Sequence, residues 1–593
     1  MLTERCASVH PGTLARPSDQ ATCGEQRLQI LLTVFFCLLY LLTVNGRLVN
    51  RDAESVFQVT RSLVEHRTFT VPEASVFIAA VGPRGTDGDS LSFATETARR
   101  GADGRSYSMY GLGQSLVAIP LYAAGKVLQP LVGVESAVFT RLLASLLNAI
   151  VTALTVLLLY RCGRLLGYAV RPSLLLAVGY GLASMAWPYA KSFAGEPLTG
   201  ALLLLGFFAL QRSLDAREAN RGRWLVLSGA AHGFVLLVRI SSGIALPVAV
   251  LYLLWRLVAL RRRGGVGLSW LLWRLLLWGG PVGVGLALVA AYNLVRFGDP
   301  LSTGYQSIAW NVPPQVGLYG LLLSSGKGVF WYNPLLLTSL VGLAFMLARR
   351  RRVGLYILAL ALVWIGFHSP YRFWEGGWSW GPRLLLPIVP FLILPLGELF
   401  CTAWRTLDLS NRESGVRGRM PMLLVAAARR TVPLLLAIGL VIQVTAVGAD
   451  YTRYLWATSQ QHPEAAYARL VYEPAGSPLL WQPVAFIEVM ANVMRPGGLE
   501  QMRLDVAERA LKHTQDGLDE DGRGVALLDD TMVVGLNIPD FWFILLPIFG
   551  APMPVAVVGV ALLVLLLGMA GVGLRRQLRA MTEPDVKRGR VVT

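Results

Sequence analysis

Apolar residues come in long unbroken runs along this chain, and polar residues return in short, arginine-rich interruptions. The runs fall at 28–44, 137–160, 173–187, 198–210, 224–238, 243–260, 275–293, 331–347, 355–367, 384–400, 432–447 and 555–574. Continuous runs of this kind predict helices that cross a membrane. Twelve spans put both termini on one side. The runs at 173–187, 198–210 and 355–367 are short for a span. The stretch 103–125, DGRSYSMYGLGQSLVAIPLYAAG, is also apolar but is broken by Gly111, Gly113 and Pro120, and it predicts an interfacial or re-entrant helix.

Residues 50–70, NRDAESVFQVTRSLVEHRTFT, predict a different element. Val56, Val59, Leu63 and Val64 fall on one helical face and Arg61, Glu65 and Arg67 elsewhere. An amphipathic helix directly after the first span would lie in the membrane interface. The outer loop 45–135 thus carries interfacial helices, with a Gly-, Asp-, Ser- and Thr-rich excursion at 82–104.

Composition agrees. The chain is 54% hydrophobic and 15% charged, with mean hydropathy +0.52, where soluble domains average about 25% charged. The fold class is therefore all-α and polytopic. The net charge of +18 comes from arginine clusters in every second loop, which is the positive-inside pattern. It places both termini in the cytoplasm and argues against nucleic-acid binding. The segments are a cytoplasmic leader at 1–27, a transmembrane region at 28–449, an acidic extracytoplasmic domain at 450–540 with 14 acids against 7 Lys/Arg, and a last span with a basic tail at 541–593. The five cysteines lie outside the extracytoplasmic segments, so no disulfide framework is expected. No strong metal motif occurs, and no phosphate-binding glycine loop lies on the cytoplasmic side.

Residues of chemical interest gather on the outer face. Asp52 and Glu54 either cap the interfacial helix or serve chemistry on a lipid-borne substrate. Glu196, beside Pro197, is an N-terminal acid of the fourth span or a second carboxylate facing the cavity of Asp52. One carboxylate can deprotonate or orient an acceptor hydroxyl, and a second can tune it. The loop 370–383, PYRFWEGGWSWGPR, is an aromatic belt or a sugar site. In the second case Trp374, Trp378 and Trp380 would stack on sugar, with Glu375 beside them, and Arg372 or Arg383 would pair with phosphate. Tyr107, Tyr110, Lys191, Tyr305 and Lys327 share that face, Lys327 as a phosphate contact or a solvated residue.

The chain resembles the GT-C superfamily of integral-membrane glycosyltransferases, especially the family 39-like enzymes related to protein O-mannosyltransferases and the lipid A aminoarabinose transferase. The resemblance rests on RSLVEHRTFTV after Asp52, on DGRSYSMYGLGQSLVAIPLY, on the Arg141 span ending YRCGRLLG, and on SFAGEPL, YNLVRFGDPLSTGY and WEGGWSWGPRLLLPIVP. It covers about 28–400. It implies a GT-C-like bundle of about 12 spans, a polyprenyl-phosphate sugar as donor, and a lipid, glycan or protein as acceptor. It also implies inversion at the anomeric carbon, with Asp52 as base, Glu54 as its substitute and Glu196 as the second acid. No cofactor is implied for certain; relatives differ in metal dependence, so a divalent cation stays open. The chain departs from the pattern at Met109–Tyr110–Gly111–Leu112–Gly113, where some relatives carry a phosphate-binding lysine; the contact then falls to Arg383 or Lys327. The rival readings are a transporter or flippase of lipid-linked sugars and a non-catalytic envelope assembly protein. His232 is the main ionisable residue within a span, and no internal repeat supports transport.

Overall fold

The computed structural model describes residues 19–48, 51–71, 98–134, 136–215, 218–264, 267–305, 309–377, 379–401, 419–462, 465–498, 500–501, 539–548 and 551–582. Almost all of these are helical. Among them nine helices are long and apolar enough to cross a membrane, and each of the twelve apolar runs lies on a helical segment.

Helix α1 (Asp19–Thr43) starts earlier than hydropathy predicts. Its polar first turns are held by Glu25, which accepts from Arg164 at 2.8 Å and Tyr160 at 3.0 Å. The amphipathic α2 (Arg51–Glu65) follows, then a small hairpin of β1 (Ala98–Arg100) and β2 (Ser106–Ser108), with Arg99 paired to Tyr107. The middle of the 82–104 excursion lies outside the described residues; its end forms this hairpin.

Helix α3 (Gly113–Val132) is 20 residues long and stands among the nine. Its packing nevertheless confines it to one level of the bundle. Gln114 at its start and Asn148 of α4 (Ser136–Leu165) both donate to the Ala194 carbonyl, at 3.2 and 2.7 Å. Gly125 packs on Thr140 and Leu143. So α3 runs back along the first half of α4 and does not reach Arg164 at its far end.

The core helices come next: α5 (Val170–Ala183), α6 (Ala186–Ala190), α7 (Gly195–Ser213), α8 (Arg221–Val238), α9 (Ala245–Gly264) and α10 (Leu268–Phe297). Then follow α11 (Pro314–Leu322), α12 (Val329–Tyr332), α13 (Leu335–Arg349) and α14 (Arg351–His368). Small residues let these helices approach closely: a side chain on Gly229 or Gly233 would strike the backbone of Trp278 or Pro281 in α10. His232 packs on Trp278 in the same seam, with Nδ1 2.8 Å from the Ser228 carbonyl, as a packing residue.

The segment Arg383–Cys401 is the most enclosed of the nine, with 89% of it buried. It opens as a 3-10 turn, Arg383–Ile388, and continues in α15 (Val389–Ile393). After α16 (Arg419–Gly448), the described part of the acidic segment is helical: α17 (Thr452–Gln461), α18 (Ala466–Val471) and α19 (Pro478–Met494). These helices lie against the bundle. Gly326 donates to the Val471 carbonyl at 3.0 Å and Ser477 to Ser325 at 2.7 Å. Residues 502–538 fall outside the described set. The chain closes with α20 (Trp542–Ile548) and α21 (Met553–Thr582), the latter packed on α1.

A buried network ties the ends of these elements together. Arg47 pairs with Asp450 and Asp540, both at 3.1 Å, and Lys191 pairs with Asp540 at 2.9 Å.

Candidate functional site

Asp52 sits in the first turn of α2, where an acid also suits the helix dipole. Its side chain is 29% exposed and both oxygens are engaged. Tyr110 donates to Oδ1 at 2.6 Å and Arg383 to Oδ2 at 2.8 Å. Burial works against the charge on Asp52, but the Arg383 guanidinium and the Tyr110 hydroxyl more than offset it and hold the carboxyl below its ordinary range. Burial, and then the Asp52 charge, push the Tyr110 phenol well up.

Two backbone devices bring these residues together. Gly381 has φ +64°, and a side chain there would meet the Tyr332 ring at 2.7 Å. Only glycine turns the chain at that point, and Arg383 follows two residues later. Gly111 packs directly on the Leu237 carbonyl, which brings the loop after β2 against the end of α8 and so against Arg239.

The cluster extends beyond Asp52. Glu196, in the first turn of α7, accepts from Arg239 at 2.7 Å and lies 3.9 Å from the Arg383 Nε. Carboxylates and guanidiniums thus alternate as Asp52, Arg383, Glu196, Arg239. Tyr305 stands edge-on to Tyr110, ring centroids 6.3 Å apart.

Arg296 adds a cation that sequence reading passed over. It is 2% exposed and stacks on Tyr292 with 3.8 Å to the ring centroid. It donates to the carbonyls of Ser108 at 2.5 Å and Tyr110 at 3.3 Å and to the Asn293 side chain at 2.7 Å. Among the described residues no carboxylate pairs with it, and its Nε has no hydrogen-bond partner. A buried, unpaired charge is costly, so this position suits an anion. Arg296, Arg239, Tyr292 and Tyr305 line a cleft whose other walls include Leu112, Leu236, Ile240 and Val289. Its lining combines two guanidiniums with apolar side chains and the polar Asn293 and Thr303.

The structure separates other expected site residues from this cluster. Glu54 is buried in a two-pronged pair with Arg141, at 2.7 and 3.0 Å, and accepts from Gln58 at 2.6 Å. It faces α4 because it lies two residues after Asp52, about 200° around the helix and so on its opposite side. Tyr107 donates to Asp103 at 2.8 Å in the hairpin. Lys191 belongs to the Asp540 network. Trp374 and Trp380 are 1% and 2% exposed and are core residues: Trp374 covers Gly320, and Trp380 packs on Tyr332 at 5.0 Å. Neither offers a face for stacking on sugar, because the glycine turns fold their loop inward. Trp378 lies outside the described residues. Arg372 is exposed over Phe373, 5.8 Å from its centroid.

Lys327 is buried. Its ammonium donates to the carbonyls of Gly377 at 2.9 Å and Ser379 at 2.8 Å, so it holds the loop that delivers Arg383. Burial pushes it down to about 7 and raises Glu375 nearby. Among the described residues no group of three or more His, Cys, Asp or Glu is placed to hold a metal ion.

No family model matches the chain and no curated protein matches it. Among solved structures, the chain is similar to ArnT from Cupriavidus metallidurans in the apo state, at 15% identity over 88% of this chain and 85% of that one, with a TM-score of 0.46. It is similar to the same protein bound to undecaprenyl phosphate, at 14% identity over 87% and 84%, TM-score 0.40. It is also similar to the Archaeoglobus fulgidus oligosaccharyltransferase in the apo form, at 12% identity over 77% of this chain and 60% of that one, TM-score 0.40.

Proposed function

We propose that this chain is a GT-C-type glycosyltransferase of the cell membrane, with cytoplasmic termini. It moves a sugar from a polyprenyl-phosphate donor to an acceptor hydroxyl on the extracytoplasmic face. The observation that carries the reading is the Asp52 carboxylate, held between Tyr110 and Arg383 beside an amphiphilic cleft with surplus guanidinium charge.

The donor phosphate pairs with Arg239 and Arg296 in the cleft, and the first prenyl units follow the apolar wall. The sugar then points toward Asp52. The acceptor oxygen attacks the anomeric carbon, and the bond from that carbon to the phosphate oxygen breaks. Polyprenyl phosphate leaves with the electron pair, the acceptor proton passes to Asp52, and the configuration inverts. The guanidiniums stabilise the charge that develops on the phosphate. Its pairing with Arg383 keeps Asp52 a weak base. Phosphate competes for Arg383, and a carboxylate released from that pairing takes a proton more readily. Glu196 keeps Arg239 in place. A divalent cation is compatible with this scheme and no step depends on one.

The test is a mass profile of lipids and envelope glycans from cells with the wild-type protein, a deletion, or Asp52→Asn at equal level. The reading expects the deletion and Asp52→Asn to lose the same sugar mass from one acceptor while a prenyl-phosphate sugar accumulates. A defect in the deletion with a wild-type profile for Asp52→Asn refutes the role of Asp52 and favours a transporter or scaffold.

A further inference from the structure

Helix α19 is apolar on its outward side. Leu480, Val484, Ile487 and Met494 are 60%, 43%, 65% and 80% exposed, and their spacing puts them on one face. The opposite, buried face carries Pro478, Ala485 and Val489 and one polar residue, Gln482, which donates to the carbonyls of Thr445 and Ala449, both at 3.0 Å. A helix bathed in water shows the reverse pattern, with polar residues outward. The outward row of exposed apolar side chains marks an element whose surroundings are themselves apolar.

The geometry indicates what those surroundings are. Helix α19 sits on Thr445 and Gly448 at the end of α16, with Phe486 against Gly448. These two positions extend, at helical spacing, the stripe of α16 formed by Leu434, Ile438 and Val441, which are 58%, 41% and 57% exposed. Helix α16 is one of the candidate membrane spans, so that stripe faces lipid, and α19 prolongs the same surface. Trp481 and Glu488, seven residues apart, both meet the first turn of α17. Trp481 stacks on Tyr454 at 5.6 Å and Glu488 pairs with Arg453 at 3.1 Å. These contacts carry α19 past the C-terminal end of α16 and onto α17. Trp481 and Glu488 border the apolar stripe, where aromatic and charged side chains mark the edge of a bilayer.

We propose that α19 lies in the plane of the membrane, in the leaflet next to the Asp52 cluster, with Leu480, Val484, Ile487 and Met494 against acyl chains. The occupant of its outward face is bilayer lipid. The segment after α16 is then anchored to the membrane surface and does not stand free in water.

The full-length protein in phospholipid nanodiscs tests this. A ketone-bearing amino acid at Leu480 or Ile487 carries a spin label and leaves the native cysteines in place. Asp103, in the exposed turn of the hairpin, serves as the water reference, and Val557, 59% exposed on α21, as the lipid reference. Collision rates with oxygen and with a soluble nickel chelate are measured at each site. The expected ratio of oxygen to nickel accessibility at 480 and 487 matches that at 557 and exceeds that at 103 about tenfold. Water-like ratios at both sites overturn the proposal. Low accessibility to both reagents overturns it as well, because a second protein surface then covers the face. Both positions are exposed, so the labels displace no buried contact.

Discussion

Glu54 and Asp52 are two residues apart, yet only Asp52 joins the cluster of Tyr110 and Arg383, and this difference can be measured. Glu54 and Arg141 are 1% and 6% exposed at their side chains. They share two contacts of 2.7 and 3.0 Å, and Arg141 also lies 4.9 Å over the Phe57 ring. Glu54→Gln keeps the shape and leaves a buried guanidinium without its counter-charge. Breaking such a pair costs about 3–5 kcal/mol. For a chain of this length the expected fall in melting temperature is about 2–4 °C. Glu54→Leu and Arg141→Met each lose a similar amount. The double variant recovers at least about 2 kcal/mol of coupling, because two apolar side chains leave no stranded charge. Thermal unfolding in one detergent gives the stabilities, and transfer rate per folded molecule gives the function. The expectation is reduced stability with near-normal turnover in the surviving fraction. An unchanged melt with abolished turnover in Glu54→Gln refutes the argument and makes Glu54 the reacting acid.

Three further outcomes follow from the site. Arg296→Met removes the cation that no carboxylate among the described residues neutralises and raises the donor KM about tenfold, with a smaller change in kcat, measured by initial rates against donor concentration. Gly381→Ala forces a side chain into a left-handed turn against Tyr332, costs about 1–2 kcal/mol, and lowers kcat by displacing Arg383; an unchanged kcat in a folded variant contradicts the role given to that turn. Lys327 loses its proton near pH 7 in the folded chain, while the unfolded chain keeps it to about 10.4. Between those values the unfolded state binds more protons, so stability rises with pH across that window. Melting curves from pH 6 to about 9.5 should show that rise in the wild type and lose it in Lys327→Met.

The bundle was legible in the sequence because membrane spans declare themselves locally. Apolar runs and arginine clusters need no knowledge of tertiary contacts, and the amphipathic pattern of α2 appears within a single stretch. The site was only partly legible. Asp52 and Arg383 are 331 positions apart, and no local pattern joins them. Glu54 looks equivalent to Asp52 until the helix is built and turns it toward Arg141. Trp374 and Trp380 sit in an aromatic-rich loop that reads as a surface, and the left-handed glycines that fold it inward act through backbone angles. Arg296 was passed over because it looks like one more arginine at a helix end; its distinguishing property, burial without a counter-ion, exists only in three dimensions. The polar content of 450–540 suggested a separate domain, yet its described helices pack on the bundle through Val471, Tyr472 and Phe486 as well as Gln482.

The Arg47, Lys191, Asp450 and Asp540 network bears on the order of biosynthesis. Two cations enter the membrane early, one after the first span and one after the third. Asp540, which serves both of them, follows Arg47 by 493 positions. Arg47 waits for Asp450 and Lys191 for Asp540, and until each acid is made the cation must keep contact with water or lipid headgroups, because it is costly to bury alone. The frame around the active face therefore closes only when the final hairpin inserts. A chain stopped short of residue 540 would keep most of its apolar helices and still expose this latch, which is the kind of defect that membrane quality control can detect.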